Sequence, residues 1–365
     1  MICYLRTSAA SYDIRLRKYI SACTQSGTSY LAITWDRLLE DKPLSPSEIQ
    51  YKHKAPYGLG HRIHNFILYI GWVFFALFNL VKNRKQYKVI HACNLETVVV
   101  AYLVKILLGK KLIFDIYDTS GKYGLERFFA QKSDVFILPH ELRAQQIGFN
   151  ESPDNLFVVE NVPFFEDYEV NTPAFMSDGK LHISYVGTFQ RQIRGIENLL
   201  KLAEQNVNVF CDIAGSGDGL ENDIIEVSRR CERIKYYGTV KYNEALDIMA
   251  KSDIMFACYY LIAPTHEYAS PNKYYESLFL GKPLITSKDT LVGARVEEGN
   301  TGYVIEDTYE ALEELMSKVG TTDFTDSLKE KANNSIKLWK EIYSNYFEQH
   351  MKDEYIKVFR DITGL

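Results

Sequence analysis

One stretch of the chain combines residue types and spacings that suit a phosphate-bearing ligand: residues 264–286, PTHEYASPNKYYESLFLGKPLIT. Ser270 followed by Pro271 predicts a helix start, because a serine side chain caps free backbone amides and proline suits the first turn. Lys273 then lies in that first turn, and Glu276 follows on the same face. Free amides and a lysine at a helix N-terminus predict a diphosphate site, with Glu276 accepting hydrogen bonds from ribose hydroxyls. The alternative is a capped amphipathic helix whose lysine and glutamate face water.

Two glycine-bearing segments upstream suit the same ligand. Residues 184–200 carry Gly187 and then Arg194 directly before another glycine. Glycine lets the backbone approach a phosphate closely, and arginine can donate two hydrogen bonds to it at once. The three alternating glycines at 215–219 are not a dinucleotide fingerprint, because Leu220 stands where its third glycine is expected.

In the first half, polar residues lie near the ends of apolar runs. Asp118 follows the run 112–117, and we predict that it is an active-site carboxylate. Asn94, Glu96 and His140 are further candidate site residues in this half of the chain. A capping or turn role is the alternative for each of them.

The elements that must position these residues alternate between strand and helix. Short apolar runs separated by helical stretches predict parallel sheets with helices on both faces. The runs are 1–5, 29–35, 87–92, 112–117 and 134–138 in the first half, and 181–186, 207–213, 234–238, 253–258 and 283–286 in the second. The sequence therefore predicts an α/β fold of two Rossmann-like domains, with ligands in a cleft beyond the carboxyl ends of the strands.

The predicted division places an acceptor-side domain at 1–165 and a nucleotide-binding domain at 175–338. The prolines and acids of 163–180 mark the boundary, and 41–60 is predicted to be a loop. The pattern becomes helical after 323, and helices in 339–365 are expected to pack back onto the first domain.

Length, charge and cysteines agree with a two-domain folded protein. The chain has 365 residues and a net charge of -5, yet residues 1–150 carry 20 Lys and Arg against 11 Asp and Glu. Such a split predicts domains with different partners, and chance surface composition is the alternative.

The six cysteines are scattered without metal-site spacing, and residues 1–13 resemble no secretory signal, so a cytoplasmic protein with reduced thiols and no metal is expected.

One segment, 65–81, is almost uninterruptedly apolar, and cations flank it: Arg62, Lys82, Arg84, Lys85 and Lys88. It is at the short limit for a spanning helix and lies between two segments of one predicted sheet, which argues against a span. We predict a helix with an apolar outer face that rests on an anionic membrane surface through residues 61–88. A wholly buried core helix is the alternative.

The phosphate-binding stretch resembles the donor-binding helix of family 4 retaining glycosyltransferases of the GT-B fold. It is most similar to a branch with Ser-Pro-x-Lys-x-x-Glu followed by Gly-x-Pro, matched here by Ser270, Pro271, Lys273, Glu276, Gly281 and Pro283. In that family the glutamate holds the ribose, while the helix start and basic residues hold the diphosphate. The family's larger branch has a second glutamate seven residues earlier, where Tyr268 stands; His266 and Glu267 are adjacent.

The resemblance extends over nearly the whole chain. Segments 184–200, 213–221 and 236–256 are similar to the family's second domain, and Arg191 is expected to replace an arginine missing at Thr188. Segments 13–18 and 88–118 are similar to its first domain. The implied donor-binding residues are Gly187, Arg191, Gly215, Gly238, Glu267, Ser270, Pro271, Asn272 and Glu276; the implied catalytic residues are Asp118, Arg194 and Lys273; and the implied acceptor-side residues are Arg15, Asn94, Glu96 and His140.

The resemblance implies a hexosyltransferase-like enzyme that moves a sugar from a nucleotide-diphosphate sugar with retention of configuration. No cofactor is expected, and the absence of Asp-x-Asp argues against a metal-dependent GT-A enzyme. The implied acceptor is a glycan or polyprenyl-linked glycan of bacterial surface polysaccharide, handled in the cytoplasm at the inner face of the membrane, with no nucleic acid partner. A nucleotide-sugar epimerase of GT-B architecture and a non-catalytic donor-binding subunit are the alternatives.

Overall fold

The computed structural model describes residues 1–39, 42–55, 62–165, 168–170, 175–176 and 179–364. The predicted boundary at 163–180 lies partly outside the described residues. So does the predicted loop at 41–60, and the described part of it contains a strand, Glu48–Lys52, so the prediction of a loop is wrong there. The chain forms two compact units: Met1–Phe164 together with Asn345–Leu365, and Phe165–Ser344. Each unit is built on its own parallel sheet.

The first unit contains a seven-stranded sheet in the order β3-β2-β1-β4-β5-β6-β7. Its strands are β1 (Ile2–Leu5), β2 (Tyr30–Asp36), β3 (Glu48–Lys52), β4 (Val89–Cys93), β5 (Lys111–Asp115), β6 (Val135–Leu138) and β7 (Leu156–Val158). Its helices before the second unit are α1 (Ile14–Gln25), α2 (Arg62–Lys82), α3 (Leu95–Leu108), α4 (Tyr123–Lys132) and α5 (Arg143–Gln146). All the strands run parallel, so the predicted sheet type is confirmed.

Alternating side chains of each strand divide this unit into two cores. Cys3 and Leu5 of β1 face a core that includes residues of α2, α3, α4 and α5. Ile2 and Tyr4 face the opposite core, which includes residues of α1 and of the chain's last helices. Helices therefore cover both faces of the sheet, because each face of a parallel sheet is apolar and must be buried.

The end of the chain is helical, as predicted. Wider π-type turns at Trp339–Tyr343 and Phe347–Tyr355 lead into a last helix, Ile356–Thr363. The division between the units falls within this helical region, after Ser344, whereas the sequence placed it after 338. Asn345–Leu365 belongs to the first unit, where Tyr355, Ile356 and Phe359 are buried in the core beside α1.

The second unit contains a six-stranded parallel sheet in the order β10-β9-β8-β11-β12-β13. Its strands are β8 (Leu181–Thr188), β9 (Val209–Ser216), β10 (Ile234–Tyr236), β11 (Ile254–Phe256), β12 (Leu284–Ser287) and β13 (Gly302–Ile305). Its helices are α6 (Ile196–Gln205), α7 (Leu220–Arg230), α8 (Tyr242–Lys251), α9 (Asn272–Leu280), α10 (Leu291–Glu298), α11 (Tyr309–Met316) and α12 (Thr322–Leu338). The strand order reverses between β8 and β11, and such reversal points are where open parallel sheets bind ligands.

Candidate functional site

The carboxyl ends of β8 and β9 form an edge of bare backbone. Gly187 and Gly215 lie opposite each other in the sheet register. A Cβ atom at Gly215 would lie 1.8 Å from the carbonyl oxygen of Gly187, and Gly215 has a φ of +135°. Only glycine fits there. The amide of Gly215 donates to the carbonyl of Gly238 at 2.8 Å, so three predicted donor-site glycines lie together. We call them the glycine edge.

The donor helix α9 begins one residue later than the sequence indicated. Pro271 is the N-cap, with extended dihedral angles of φ −76° and ψ 148°, and Asn272 is the first helical residue. Ser270 is buried and precedes the cap. The prediction that Ser270 is the N-cap is therefore wrong, because proline at 271 adopts the extended backbone of a cap instead of the first helical turn.

Lys273 and Glu276 connect α9 to the glycine edge. Glu276 is 1% exposed, and its carboxylate accepts a hydrogen bond from the hydroxyl of Tyr242 at 3.0 Å and forms an ion pair with Lys273. Lys273 Cε lies 4.0 Å from where a Cβ of Gly187 would be. The alternative in which both side chains face water is thus wrong for Glu276. A cation fixed by a buried carboxylate beside bare backbone is well suited to bind phosphate.

Arg194 lies beside two aromatic residues that follow β11. Its Nε donates to Gln190 at 2.8 Å, and its guanidinium lies 4.3 Å from the ring centroid of Tyr259. The ring of His266 packs edge-on against Tyr259 at 5.6 Å. Burial, together with the charge of Arg194, lowers the pKa of His266, which keeps the imidazole neutral near pH 7. From the sequence, His266 was noted only as a neighbour of Glu267. Nothing in the sequence indicates that it contacts Tyr259.

Two predicted donor residues lie at the surface. Arg191 is exposed and forms an ion pair with Asp223 of α7 at 2.7 Å. The structure thus gives its guanidinium a carboxylate partner on a helix. Glu267 is exposed as well, and its carbonyl accepts a hydrogen bond from the amide of Leu291 at 2.7 Å.

In the first unit, Arg15 is buried instead of facing an acceptor. Its Nε and Nη2 donate to the carboxylate of Asp115 at 3.1 and 2.9 Å, and its Nη1 donates to the carbonyl of Val159 at 2.8 Å. Burial raises the pKa of Asp115, but Arg15 and His91 together outweigh it and hold that pKa at about 2. The acceptor-side role predicted for Arg15 is therefore replaced by a structural one, since its guanidinium binds the protein itself.

Asn94, Glu96 and His140 take part in local contacts at the carboxyl end of this sheet. Asn94 has a φ of +70° and accepts a hydrogen bond from the amide of Tyr117 at 2.9 Å, which ties the ends of β4 and β5 together. Glu96 accepts a hydrogen bond from Thr7 at 3.0 Å, and His140 Nδ1 accepts one from the amide of Leu142 at 3.2 Å. The Asn94 and His140 contacts support turns, whereas the Glu96 contact joins the start of α3 to the loop after β1.

Asp118 is exposed, and a buried arginine lies behind it. The Asp118 side chain is 92% exposed, and its carboxylate lies 3.7 Å from Nη1 of Arg143, which also donates to the carbonyl of Tyr117 at 3.0 Å. Glu126, also buried, accepts a hydrogen bond from the amide of Ser120 at 2.6 Å. Arg143 and Glu126 thus hold the loop that presents Asp118. Sequence analysis missed both, because a charged residue in a polar helix is normally exposed.

Within the part of the chain that the structure describes, no three His, Cys, Asp or Glu side chains are arranged to hold a metal ion. All six cysteines are buried thiols.

Residues 180–321 match a family model described as "Glycosyl transferases group 1". Among solved structures, the chain is similar to Anabaena Alr3699/HepE in complex with UDP and glucose, with 14% identity, a TM-score of 0.69 and 99% of each chain covered. It is also similar to a sucrose-phosphate synthase from Thermosynechococcus elongatus (14% identity, TM-score 0.71, 99% of each chain). The apo form of the lipopolysaccharide outer core galactosyltransferase WaaB is a third (13% identity, TM-score 0.61, 100% of this chain and 99% of that one). No curated protein matches the sequence.

These structures confirm the predicted fold class, an α/β protein of GT-B architecture with two Rossmann-like parallel-sheet domains. The matched residues include the glycine edge and the whole of α9.

Proposed function

We propose that this glycosyltransferase moves a sugar from a nucleotide-diphosphate sugar onto a glycan or lipid-linked glycan. The domain match over residues 180–321 supports an enzyme of the glycosyltransferase class. The observation that carries the proposal is the ion pair of Lys273 with buried Glu276 beside the glycine edge. A solved structure of similar fold holds UDP and glucose, which supports a nucleotide-sugar as the donor.

In this proposal, the glycine edge lets the diphosphate approach the backbone closely, and the N-terminus of α9 binds it through backbone amides. Lys273 supplies a positive charge there, and Glu276 accepts hydrogen bonds from ribose hydroxyls. Tyr242 and Lys273 fix the Glu276 carboxylate in place before the donor binds. Binding groups that are already held in place need little reorganisation when the ligand binds.

The chemical step breaks the bond between the anomeric carbon and the diphosphate oxygen. The acceptor hydroxyl oxygen bonds to that carbon from the same face, and its proton passes to the departing diphosphate, so configuration is retained. Lys273, Arg194 and the helix N-terminus stabilise the negative charge that develops on the leaving group. No metal ion is required, because these groups supply the positive charge. Asp118, held on its loop by Arg143, is the proposed carboxylate on the acceptor side.

We further propose that the acceptor belongs to cell-surface polysaccharide synthesis and that the enzyme works in the cytoplasm at the membrane. Support for the membrane location comes from α2, which exposes an apolar face, ends at Lys82 and is followed by Arg84, Lys85 and Lys88. His61, the first residue of the predicted membrane segment, lies outside the described residues.

The test is a thermal-shift screen of the wild-type chain with UDP-, GDP-, ADP- and dTDP-sugars, repeated on Glu276→Ala. We expect one base to stabilise the wild-type chain and the substitution to abolish that stabilisation. Glu226→Ala is the control, because Glu226 is exposed on α7 and its loss should leave the ligand-induced shift unchanged. No shift with any of the nucleotides would contradict the donor site.

A further inference from the structure

Three neighbouring helices of the first unit present apolar side chains to solvent. The helices α2, α3 and α4 cover the same face of the sheet, because their inward residues share one core. Their outward residues are 41–79% exposed: Ile63, Phe66, Ile67, Ile70, Phe74, Phe78 and Val81 on α2; Val99, Leu103, Ile106 and Leu107 on α3; Leu125 and Phe128 on α4. We call this surface the three-helix apolar face.

The three helices are held side by side by specific contacts. The hydroxyl of Tyr69 on α2 donates to the carbonyl of Glu96 on α3 at 2.7 Å. The ring of Tyr102 on α3 packs edge-on against Phe128 on α4, with the centroids 5.9 Å apart. The exposed side chains therefore belong to one surface and not to three isolated stripes. A contiguous exposed apolar patch of this kind marks an interaction site.

The helix α2 lies on the sheet and does not leave it. Within the described residues, Ile63–Lys82 is the one helix long and apolar enough to cross a membrane, with a mean hydropathy of 1.6 and 22% of its most apolar stretch buried. Trp72, Ala76 and Leu80 on its inner side are nevertheless fully buried against the sheet. The helix also connects β3 to β4, which belong to one sheet. A span would remove these side chains from the core, so the packing of α2 argues against its crossing a membrane.

Cations border the three-helix apolar face at the C-terminal ends of α2 and α3. Lys82, Arg84, Lys85, Lys88 and Lys111 are exposed there. Lys110 donates to the carbonyls of Arg84 and Tyr87 at 2.6 and 2.8 Å, which ties the two basic segments together. Between residues 62 and 111 the only acidic residue is Glu96. Asp134, outside that stretch, forms ion pairs with Lys105 and Lys111, so the excess positive charge of the border is carried by Lys82, Arg84, Lys85 and Lys88. A border with this excess of positive charge complements an anionic surface.

We propose that the three-helix apolar face docks this chain on an anionic lipid bilayer, with α2 in the plane of the interface. Phe and Leu side chains of all three helices insert among the acyl chains, and the basic border contacts the headgroups. A second copy of the chain is a poorer occupant, because two such faces would bring like-charged borders together. The inference rests on the proposed function, since it explains how the enzyme reaches a lipid-linked acceptor.

The test is flotation of the full chain with vesicles of phosphatidylglycerol and phosphatidylcholine, one part to two, compared with pure phosphatidylcholine. The wild-type chain should float with the anionic vesicles and bind less to neutral ones. The pair Phe74→Ser and Phe78→Ser should weaken partitioning by about tenfold for each phenylalanine. The pair Arg84→Gln and Lys85→Gln should weaken it by about fivefold for each charge, and the remaining binding should fall as salt rises.

Two exposed apolar residues of the second unit provide the control. Val207→Ser with Ile342→Ser removes similar apolar side chains outside the proposed face and should leave flotation unchanged. All variants change exposed residues, so each should unfold at the wild-type temperature, and each should keep its nucleotide-sugar thermal shift. That shift separates the two proposals: its absence in the wild-type chain would contradict the donor site while flotation still reports on the face.

Three results would overturn the lipid proposal. The first is a wild-type chain that does not float with anionic vesicles, and the second is equal flotation of the Phe74 and Phe78 variant. The third is a dimer, detected by analytical ultracentrifugation without lipid, that this variant abolishes. That result would assign the face to a second copy of the chain.

Discussion

Asp115, the last residue of β5, is a buried carboxylate with several side-chain partners. It binds Arg15 through both oxygens and accepts a hydrogen bond from Tyr19 at 2.6 Å, and His91 Nε2 lies 3.4 Å away. All four side chains are buried. This group fixes α1 against β4 and β5.

Asp115→Asn should therefore lower the free energy of unfolding by about 3–5 kcal/mol at pH 7, because it leaves Arg15 buried without its counter-ion. The pKa of Asp115 is about 2 in the folded chain and higher in the unfolded one. Its stabilising contribution is thus complete above the unfolded pKa of about 4 and is lost as pH falls toward 2. Urea unfolding between pH 2 and 7 measures this.

The matched control for that prediction is Asp223→Asn, which breaks the exposed ion pair with Arg191. It should change the free energy of unfolding by less than about 1 kcal/mol. Equal effects of the two substitutions would contradict a special role for the buried pair.

Residue types near strand ends could be predicted from the sequence, but their burial could not. Lys273 and Glu276 were identified by spacing, and the structure brings them to the glycine edge. Arg15 was assigned to the acceptor side because residues 13–18 resemble the family's opening helix, which presents an arginine near the cleft. Its partner Asp115 is 100 residues away in the chain. A pairing over such a separation has no local sequence signal.

At the level of elements, the glycine edge depends on β8 and β9 ending in register. Gly187 and Gly215 are opposite, and a Cβ atom at Gly217 would lie 2.3 Å from the carbonyl oxygen of Phe189. The two strand ends can therefore approach each other only where side chains are absent.

Gly215→Ala should displace the end of β9 and abolish the nucleotide-sugar thermal shift, because the new methyl group would overlap the carbonyl of Gly187. It should also cost stability, since its φ of +135° disfavours alanine. The control is Gly124→Ala in α4, where nothing lies within 4 Å of the added carbon; there we expect about 0.5–1 kcal/mol of stabilisation. A normal thermal shift in Gly215→Ala would contradict the role of the glycine edge.

The strongly apolar strands were predicted correctly because buried parallel strands are continuous apolar runs. The edge strand β3, EIQYK, and the short β7 were missed, since a polar or three-residue strand does not stand out from a loop. The start of α9 was misplaced by one residue, because proline suits both a cap and a first turn. Whether a proline takes the cap or the first helical position depends on the conformation of the neighbouring backbone.

On the scale of the whole molecule, the last helices of the chain complete the core of the first unit. Tyr355 is fully buried, and its hydroxyl lies 3.0 Å from that of Tyr4 on β1 and 2.9 Å from Nδ1 of His91 on β4. The sequence indicated helices here from apolar spacing, but it contained no sign that a tyrosine near the C-terminus bonds to the first strand.

Tyr355→Phe should cost about 1–3 kcal/mol, because it leaves buried polar atoms of Tyr4 and His91 without this partner. Hydrogen exchange measured by mass spectrometry should show faster exchange in β1, β4 and α1, with β8 and β9 unchanged. Phe359→Leu, a nearby apolar substitution, controls for packing alone and should have a smaller effect. Uniformly faster exchange across both sheets would contradict a local role for Tyr355.

The first unit is assembled from two separate segments of the polypeptide, Met1–Phe164 and Asn345–Leu365, and the second unit lies wholly between them in the chain. During translation, the first unit's seven strands leave the ribosome well before the helices that cover α1 and β1. The second unit has all its residues by Ser344 and can fold while the first still waits for its missing layer. The sheet of the first unit is thus synthesised before the second unit, whereas the helices that cover one of its faces are synthesised after it. Chaperones have that interval to act on the uncovered sheet face.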